Sequence, residues 1–113
     1  MHEFSITQNI LSIALDKAKE VKSNRITKIN LTIGELSGVV DECVKFYFGF
    51  LSKDTIAAGA DLAFEKTQLQ LRCRNCDVVF PLTDSNWACP TCREQKVEVI
   101  SGRECYVNSI EVD

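Results

Sequence analysis

The chain has 113 residues, a net charge of -3, and 45% apolar and 26% charged side chains, which are the proportions of an ordinary soluble globular protein. No apolar run approaches the ~18 residues of a membrane span, and Met1-His2-Glu3-Phe4 lacks the basic and apolar regions of a secretory leader. Six cysteines in such a chain point to metal or free thiols in a reducing compartment, by default the cytoplasm.

From Phe4 to about Val21, the residues Phe4, Ile6, Ile10, Leu11, Ile13, Ala14, Leu15, Ala18 and Val21 recur at spacings of three and four. This predicts an amphipathic helix with one core face, and Ser5 with Gln8 offers a capping box near its start. Residues 25–33 then alternate, with Ile29, Leu31 and Ile33 on one side and Lys28, Asn30 and Thr32 on the other, which is the period of a strand. Gly34-Glu35-Leu36-Ser37-Gly38 breaks that strand. A second helix is predicted from Val40 or Asp41 to Leu51, with Cys43, Val44, Tyr47, Phe48 and Leu51 as its apolar stripe and two acids in its first turn. After a turn near Ala58-Gly59, residues 61–71 read as one strand feeding directly into Cys73.

Cys73-Arg74-Asn75-Cys76 and Cys89-Pro90-Thr91-Cys92 are two C-x-x-C pairs with twelve residues between them. Four thiolates at about 2.3 Å complete a tetrahedron around Zn(II) with no open position, so such a site is structural and not catalytic. Phe80-Pro81 and the 87–90 stretch suit the short strands and turns of a zinc ribbon, which has too few apolar residues to fold without its metal. A redox dithiol would instead call for a single pair beside a βαβ pattern. Residues 69–102 balance four basic side chains (Arg72, Arg74, Arg93, Lys96) against four acidic ones (Asp77, Asp84, Glu94, Glu98), and Zn(Cys)4 adds about -2. The module therefore has no basic face, which argues against nucleic acid.

Residues 97–100 close the ribbon, Ser101-Gly102 turns, and residues 104–112 form a last predicted strand with Tyr106, Ile110 and Val112 on one face. The expected fold is α+β: two helices packed on a small three-stranded sheet of 25–33, 61–68 and 104–112, with an inserted zinc-ribbon module. The domains are then 1-68 together with 103-113, and 69-102. Cys43 and Cys105, outside the ribbon, are expected to be small buried hydrophobes.

The one histidine of the chain is residue 2. A free α-amine, the amide nitrogen of residue 2 and an imidazole Nδ1 there can close adjacent chelate rings, which suits Ni(II) or Cu(II) better than zinc. From these residues alone, an incidental solvated histidine remains the simpler reading.

Met1-His2-Glu3 at the start, residues 33–39 (Ile33-Gly34-Glu35-Leu36-Ser37-Gly38-Val39) and the C-x2-C-x12-C-x2-C ribbon, in that order, resemble the HypA/HybF family of hydrogenase nickel-incorporation proteins. The resemblance covers essentially the whole chain. It implies a nickel metallochaperone that works with the GTPase HypB, delivers Ni(II) to the nickel-iron hydrogenase large-subunit precursor and, in some organisms, also serves urease. It implies nickel ligands at the Met1 amine, at His2 through amide and imidazole, and at Glu3, with zinc on Cys73, Cys76, Cys89 and Cys92. Residues 1-68 with 103-113 would then be the nickel-binding domain. Some relatives carry a supporting carboxylate at a position that aligns with Val40; here the nearest acids are Asp41 and Glu42. No Ser/His/Asp or Cys/His set and no phosphate-binding Gly-rich loop can be assembled, so an enzyme is not expected. The readings to separate from nickel delivery are a zinc-ribbon protein-protein adaptor and a thiol redox protein.

Overall fold

The computed structural model describes residues 2–82 and 87–113. Helix α1 (Glu3–Glu20) leads to strand β1 (Ile26–Gly34) and helix α2 (Asp41–Leu51), followed by β2 (Asp61–Thr67), β3 (Gln70–Cys73), β4 (Val79–Pro81), β5 (Val97–Ser101) and β6 (Cys105–Val112). The strands form two three-stranded sheets, ordered β2-β1-β6 and β4-β3-β5. In the first, β1 runs parallel to β2 and antiparallel to β6, so a mid-chain strand and the last strand flank the central one. This is the expected α+β architecture with an inserted ribbon.

Ile10, Ala14 and Ala18 of α1, Val44 and Phe48 of α2, and Ile26, Ile29, Leu31 and Ile33 of β1 are buried in one cluster. Alanine at the inward turns of α1 lets that helix approach closely, and the branched side chains of β1 fill the space between helices and sheet. A second cluster, Leu69, Leu71, Cys73, Phe80 and Cys89, belongs to the ribbon alone. With two small cores the molecule is long, 55 × 27 × 17 Å.

Four expectations are corrected. Helix α1 begins at Glu3, and no side chain caps it; the Ser5 hydroxyl donates to the His2 carbonyl (3.2 Å), so the capping box does not form. The strand expected over 61–71 is two strands in different sheets. β2 ends at Thr67, opposite Gly34, and two contacts turn the chain there: Glu35 N–H donates to the Thr67 carbonyl (3.0 Å), and Leu69 N–H to Glu35 Oε1 (2.5 Å). On β6 the alternation fails because Asn30 pairs with Ser109 but Leu31 with Val107, which leaves Asn108 as an extra residue. That bulge puts Val107 as well as Ile110 on the core side and turns Tyr106 out; Val112, the last residue of the strand, is also exposed. Cys43 and Cys105 are exposed, because the inward face of α2 is carried by Val44 and Phe48 and β6 is a sheet edge.

The two modules meet where backbones touch. A Cβ on Gly34 would lie 2.1 Å from the Gly102 carbonyl carbon, and one on Gly102 would lie 2.8 Å from Leu69 Cα. Gly34 N–H donates to the Glu104 carbonyl (2.7 Å) and Leu36 N–H to the Gly102 carbonyl (2.5 Å). The Glu104 carboxyl is held below its usual range by its own backbone N–H and by that of Gly102, which donates to it at 2.5 Å. The Gly34-to-Gly38 segment thus joins the sheet that ends at Thr67 to the ribbon that begins at Leu69.

Candidate metal centres

The ribbon brings Cys73, Cys76, Cys89 and Cys92 together by building the same turn twice. Cys73 N–H donates to the Val78 carbonyl and Asp77 N–H returns to the Cys73 carbonyl, both at 2.9 Å. Cys89 N–H donates to the Glu94 carbonyl (2.9 Å) and Arg93 N–H returns to the Cys89 carbonyl (2.8 Å). Each turn closes through a left-handed residue just after its second cysteine, Asp77 at φ 66° and Arg93 at φ 63°. The spacing of cysteines does not reveal these two residues; Asp is several-fold enriched at positive φ, but Arg carries no such signal.

The four sulfurs lie within 4.8 Å of one another, with Cys73 Sγ to Cys92 Sγ and Cys76 Sγ to Cys89 Sγ both 3.5 Å. A tetrahedron with 2.3 Å metal–sulfur bonds has edges of about 3.8 Å, so the set fits Zn(II); a disulfide would need about 2.05 Å. Backbone N–H groups of Cys92 and Thr91 help hold the Cys89 thiol down at about 6 against its burial. The Asn75 side chain and the Glu94 N–H lower Cys92. At Cys76 the Val78 N–H also pulls downward, but the neighbouring Cys89, desolvation, Cys73 and Cys92 together push the thiol up to about 12. Four sulfurs this close cannot all carry charge unaided. A divalent cation at their centre removes the conflict, while the N–H···S bonds support the thiolates from outside. Cys73 and Cys89 are buried and Cys76 is exposed, so the cluster sits at the ribbon surface with half its ligands in the core.

The second candidate region is at the start of α1. His2 is exposed and serves as the N-cap of α1 (φ -116°, ψ 33°), its carbonyl accepting from Ile6 N–H at 2.9 Å. Met1 lies outside the described residues. Glu3 is buried, and its Oε2 accepts the backbone N–H of Val40, the N-cap of α2, at 3.2 Å. Phe4 and Tyr47 pack edge to face with ring centroids 5.3 Å apart, a further tie between the helices. Asp41 Oδ1 accepts from Lys66 Nζ at 2.7 Å, and Glu42 pairs with Lys45 at 3.7 Å. Val40, Lys66, Gly34 and Glu35 line an open cleft of about 720 Å³ between this end and the ribbon junction. His2 and Glu3 are therefore gathered at one corner with the start of α2, far along the chain from the thiolates.

No described helix is long and apolar enough to cross a membrane. Residues 1–112 match the family model described as HypA, hydrogenase/urease nickel incorporation, metallochaperone. A hydrogenase maturation factor HypA from Dehalococcoides mccartyi strain 195 is 46% identical over 113 residues, covering all of this chain and 95% of that protein. Another from Caldanaerobacter subterraneus subsp. tengcongensis is 40% identical over 114 residues, with both chains fully covered. Two solved structures share the fold. A solution structure of HypA protein has a TM-score of 0.77 at 24% identity, covering 99% of this chain and 96% of that one. The Ni metallochaperone HypA from Helicobacter pylori has 0.70 at 22%, covering 99% and 97%.

Proposed function

Because the chain belongs to the HypA family of hydrogenase nickel-incorporation metallochaperones, we propose that it binds Ni(II) at its N-terminus and delivers it to the nickel-iron hydrogenase large-subunit precursor. The nickel ligands in this reading are the Met1 amine and the amide and imidazole of His2, with Glu3 as the adjacent carboxylate. Zinc is held by Cys73, Cys76, Cys89 and Cys92 and keeps the ribbon folded. Residues 1-68 with 103-113 carry the cargo, and 69-102 are the zinc module. The protein is a carrier and not an enzyme, works in the cytoplasm with the GTPase HypB, and extends to urease maturation where that enzyme is a client.

The observation that carries the nickel site is the placement of the chain's one histidine. His2 is exposed at the N-cap, where its own N–H precedes the helical hydrogen-bond ladder, so losing the amide proton to a metal breaks no intrahelical bond. Its carbonyl is already held by Ile6 and Ser5, which limits how far the segment moves when metal leaves. Ni(II) and Cu(II) reward such planar nitrogen ligation and zinc rarely does, so cargo and structural metal are sorted by ligand type.

The test is calorimetric nickel titration of the untagged protein, a form extended by a few residues before Met1, and His2→Ala. Extension turns the amine into an internal amide, and the alanine deletes the imidazole; both should abolish tight nickel binding with zinc content and circular dichroism unchanged. Unchanged affinity in the extended form would refute the site and leave a zinc-ribbon protein-protein adaptor, for which Phe46 and Phe50 are among the exposed apolar residues.

A further inference from the structure

We infer that the outward stripe of α2 is a docking surface for a second copy of this chain, the two helices meeting antiparallel about a twofold axis in a contact independent of the nickel reading. A helix turns once in about 3.6 residues, so Glu42, Phe46, Gly49 and Lys53, at spacings of four, three and four, fall on one line along its surface. That line lies opposite the buried Val44 and Phe48, and all four of its residues are exposed.

Phe46 is 73% exposed and Phe50, on the flank of the stripe, 64%. Adjacent phenylalanines left this open on one helix face mark an interaction surface. The Phe46 ring is held edge to face against Tyr47, with centroids 5.5 Å apart, so docking costs it little freedom. Lys53 follows the C-cap Ser52, but its Nζ stands over the Phe50 ring at 5.9 Å, which keeps the charge on this face. Of the neighbouring charges, Lys45 leans toward β2, over the Phe64 ring at 5.7 Å, and Asp54 lies past the helix in left-handed backbone (φ 64°), off the helical line.

The order of these residues selects the occupant. A half-turn about the midpoint of residues 47 and 48 exchanges position 42 with 53 and position 46 with 49. Glu42 of each copy then meets Lys53 of the other, and each Phe46 meets the other's Gly49, the reciprocal pairing that a closed dimer requires. Phe50 falls across from the second copy's Phe46 on the same flank. A parallel copy would instead set Glu42 against Glu42 and Lys53 against Lys53, so the charges fix the direction. Gly49 supports the same arrangement. Glycine is the poorest helix former after proline, and a Cβ at this site would meet nothing within 4 Å in the single chain, so packing within one copy does not call for it. Between two copies it is the notch that an opposing phenyl ring enters, and it borders an open groove of about 570 Å³ shared with Lys45, Ser52, Lys53 and Gly59. A stripe on one short helix buries less than the ~1,200 Å² of a standard interface, so the dimer is weak and forms at high concentration.

Sedimentation equilibrium of the zinc-loaded, untagged, nickel-free chain from about 10 µM to about 1 mM, the range of weak interfaces, tests this. Wild type should dimerise reversibly, and Phe46→Ser should weaken the dimer at least about tenfold. Glu42→Lys and Lys53→Glu each place like charges at both ends of the contact and should weaken it about fivefold or more. An equimolar mixture of those two variants restores both attractions and should pair at least as tightly as wild type. Gly49→Gln should raise the melting temperature, as a better helix former, yet weaken association because its side chain fills the notch. All these positions are exposed, so zinc content and circular dichroism should match wild type. Wild type that stays monomeric at the highest concentration would overturn the inference and leave the stripe to a protein of another sequence. A dimer indifferent to Phe46→Ser would overturn it by placing the contact elsewhere, and a mixture no tighter than its two components would overturn the antiparallel pairing.

Discussion

Replacing Gly34 with alanine should separate the two modules energetically more than any other single methyl. The added carbon would sit 2.1 Å from the Gly102 carbonyl carbon, 2.2 Å from its oxygen and 2.6 Å from Arg103 nitrogen, all of them backbone atoms that cannot rotate away. Reaching ordinary contact means moving the 102–103 backbone by more than an ångström. That motion pulls on Gly34 N–H to Glu104 (2.7 Å) and Leu36 N–H to Gly102 (2.5 Å), and Gly102 is itself held at φ 112° against Leu69. Two weakened hydrogen bonds at about 1 kcal/mol each and an overpacking cost of about 1–3 kcal/mol give about 3–5 kcal/mol. This is a large share of the 5–15 kcal/mol typical of such a chain, and would lower the melting temperature by roughly 15 °C or more. Zinc should stay bound, because the thiolates belong to the separate ribbon core.

Thermal and urea melts, read beside zinc analysis, are the assay, and two other glycines calibrate them. Gly38 has open space around it but lies at φ 75°, so its alanine variant should cost about 1–2 kcal/mol of conformational strain alone. Gly49 is exposed within α2 with nothing near it, and alanine there should add stability by about 0.8–1 kcal/mol. A Gly34→Ala protein within about 1 kcal/mol of wild type, far inside the range estimated for overpacking, would refute the reasoning by showing that the junction yields.

Two predictions concern the metals. Cys76→Ser should reduce zinc well below one atom per chain by elemental analysis; because Cys76 is the exposed member of the set, little packing is lost and the defect reports the metal. Full zinc occupancy in that variant would sink the four-thiolate assignment. Nickel held by an amine, an amide and an imidazole competes with protons, so affinity should fall steadily as the pH is lowered from about 8 to about 6, while zinc is retained. A flat nickel affinity over that range would show that the ligands are not these nitrogens.

How much of this was legible in the residues follows from how local each signal is. The two helices and the buried face of β1 show in the periodicity, since Ile10, Ala14, Ala18, Ile29, Leu31 and Ile33 are buried as their spacing implies. The thiolate cluster was equally legible, because a C-x-x-C pair is its own turn and needs only one partner pair. Where it starts and stops was decided elsewhere. The apparent strand from 61 to 71 is continuous in sequence, and only Glu35, reaching from another element to Leu69 N–H, breaks it into two sheets.

Three further features depended on tertiary contact. The bulge at Asn108 reverses the faces of β6 because the register is set by pairing with β1, not by the β6 pattern, so Tyr106 turns outward while Val107 turns in. Gly34 reads as a strand breaker from sequence, but its stronger constraint is Gly102, 68 positions later and in direct backbone contact. Glu3 is marked by the family resemblance as a carboxylate beside His2, and only the approach of α2 shows that it also accepts the Val40 N–H. Periodicity and motif spacing report interactions within a few residues along the chain; close approach between distant backbones leaves no periodic trace, and it is what places the ribbon, the bulge and Glu3.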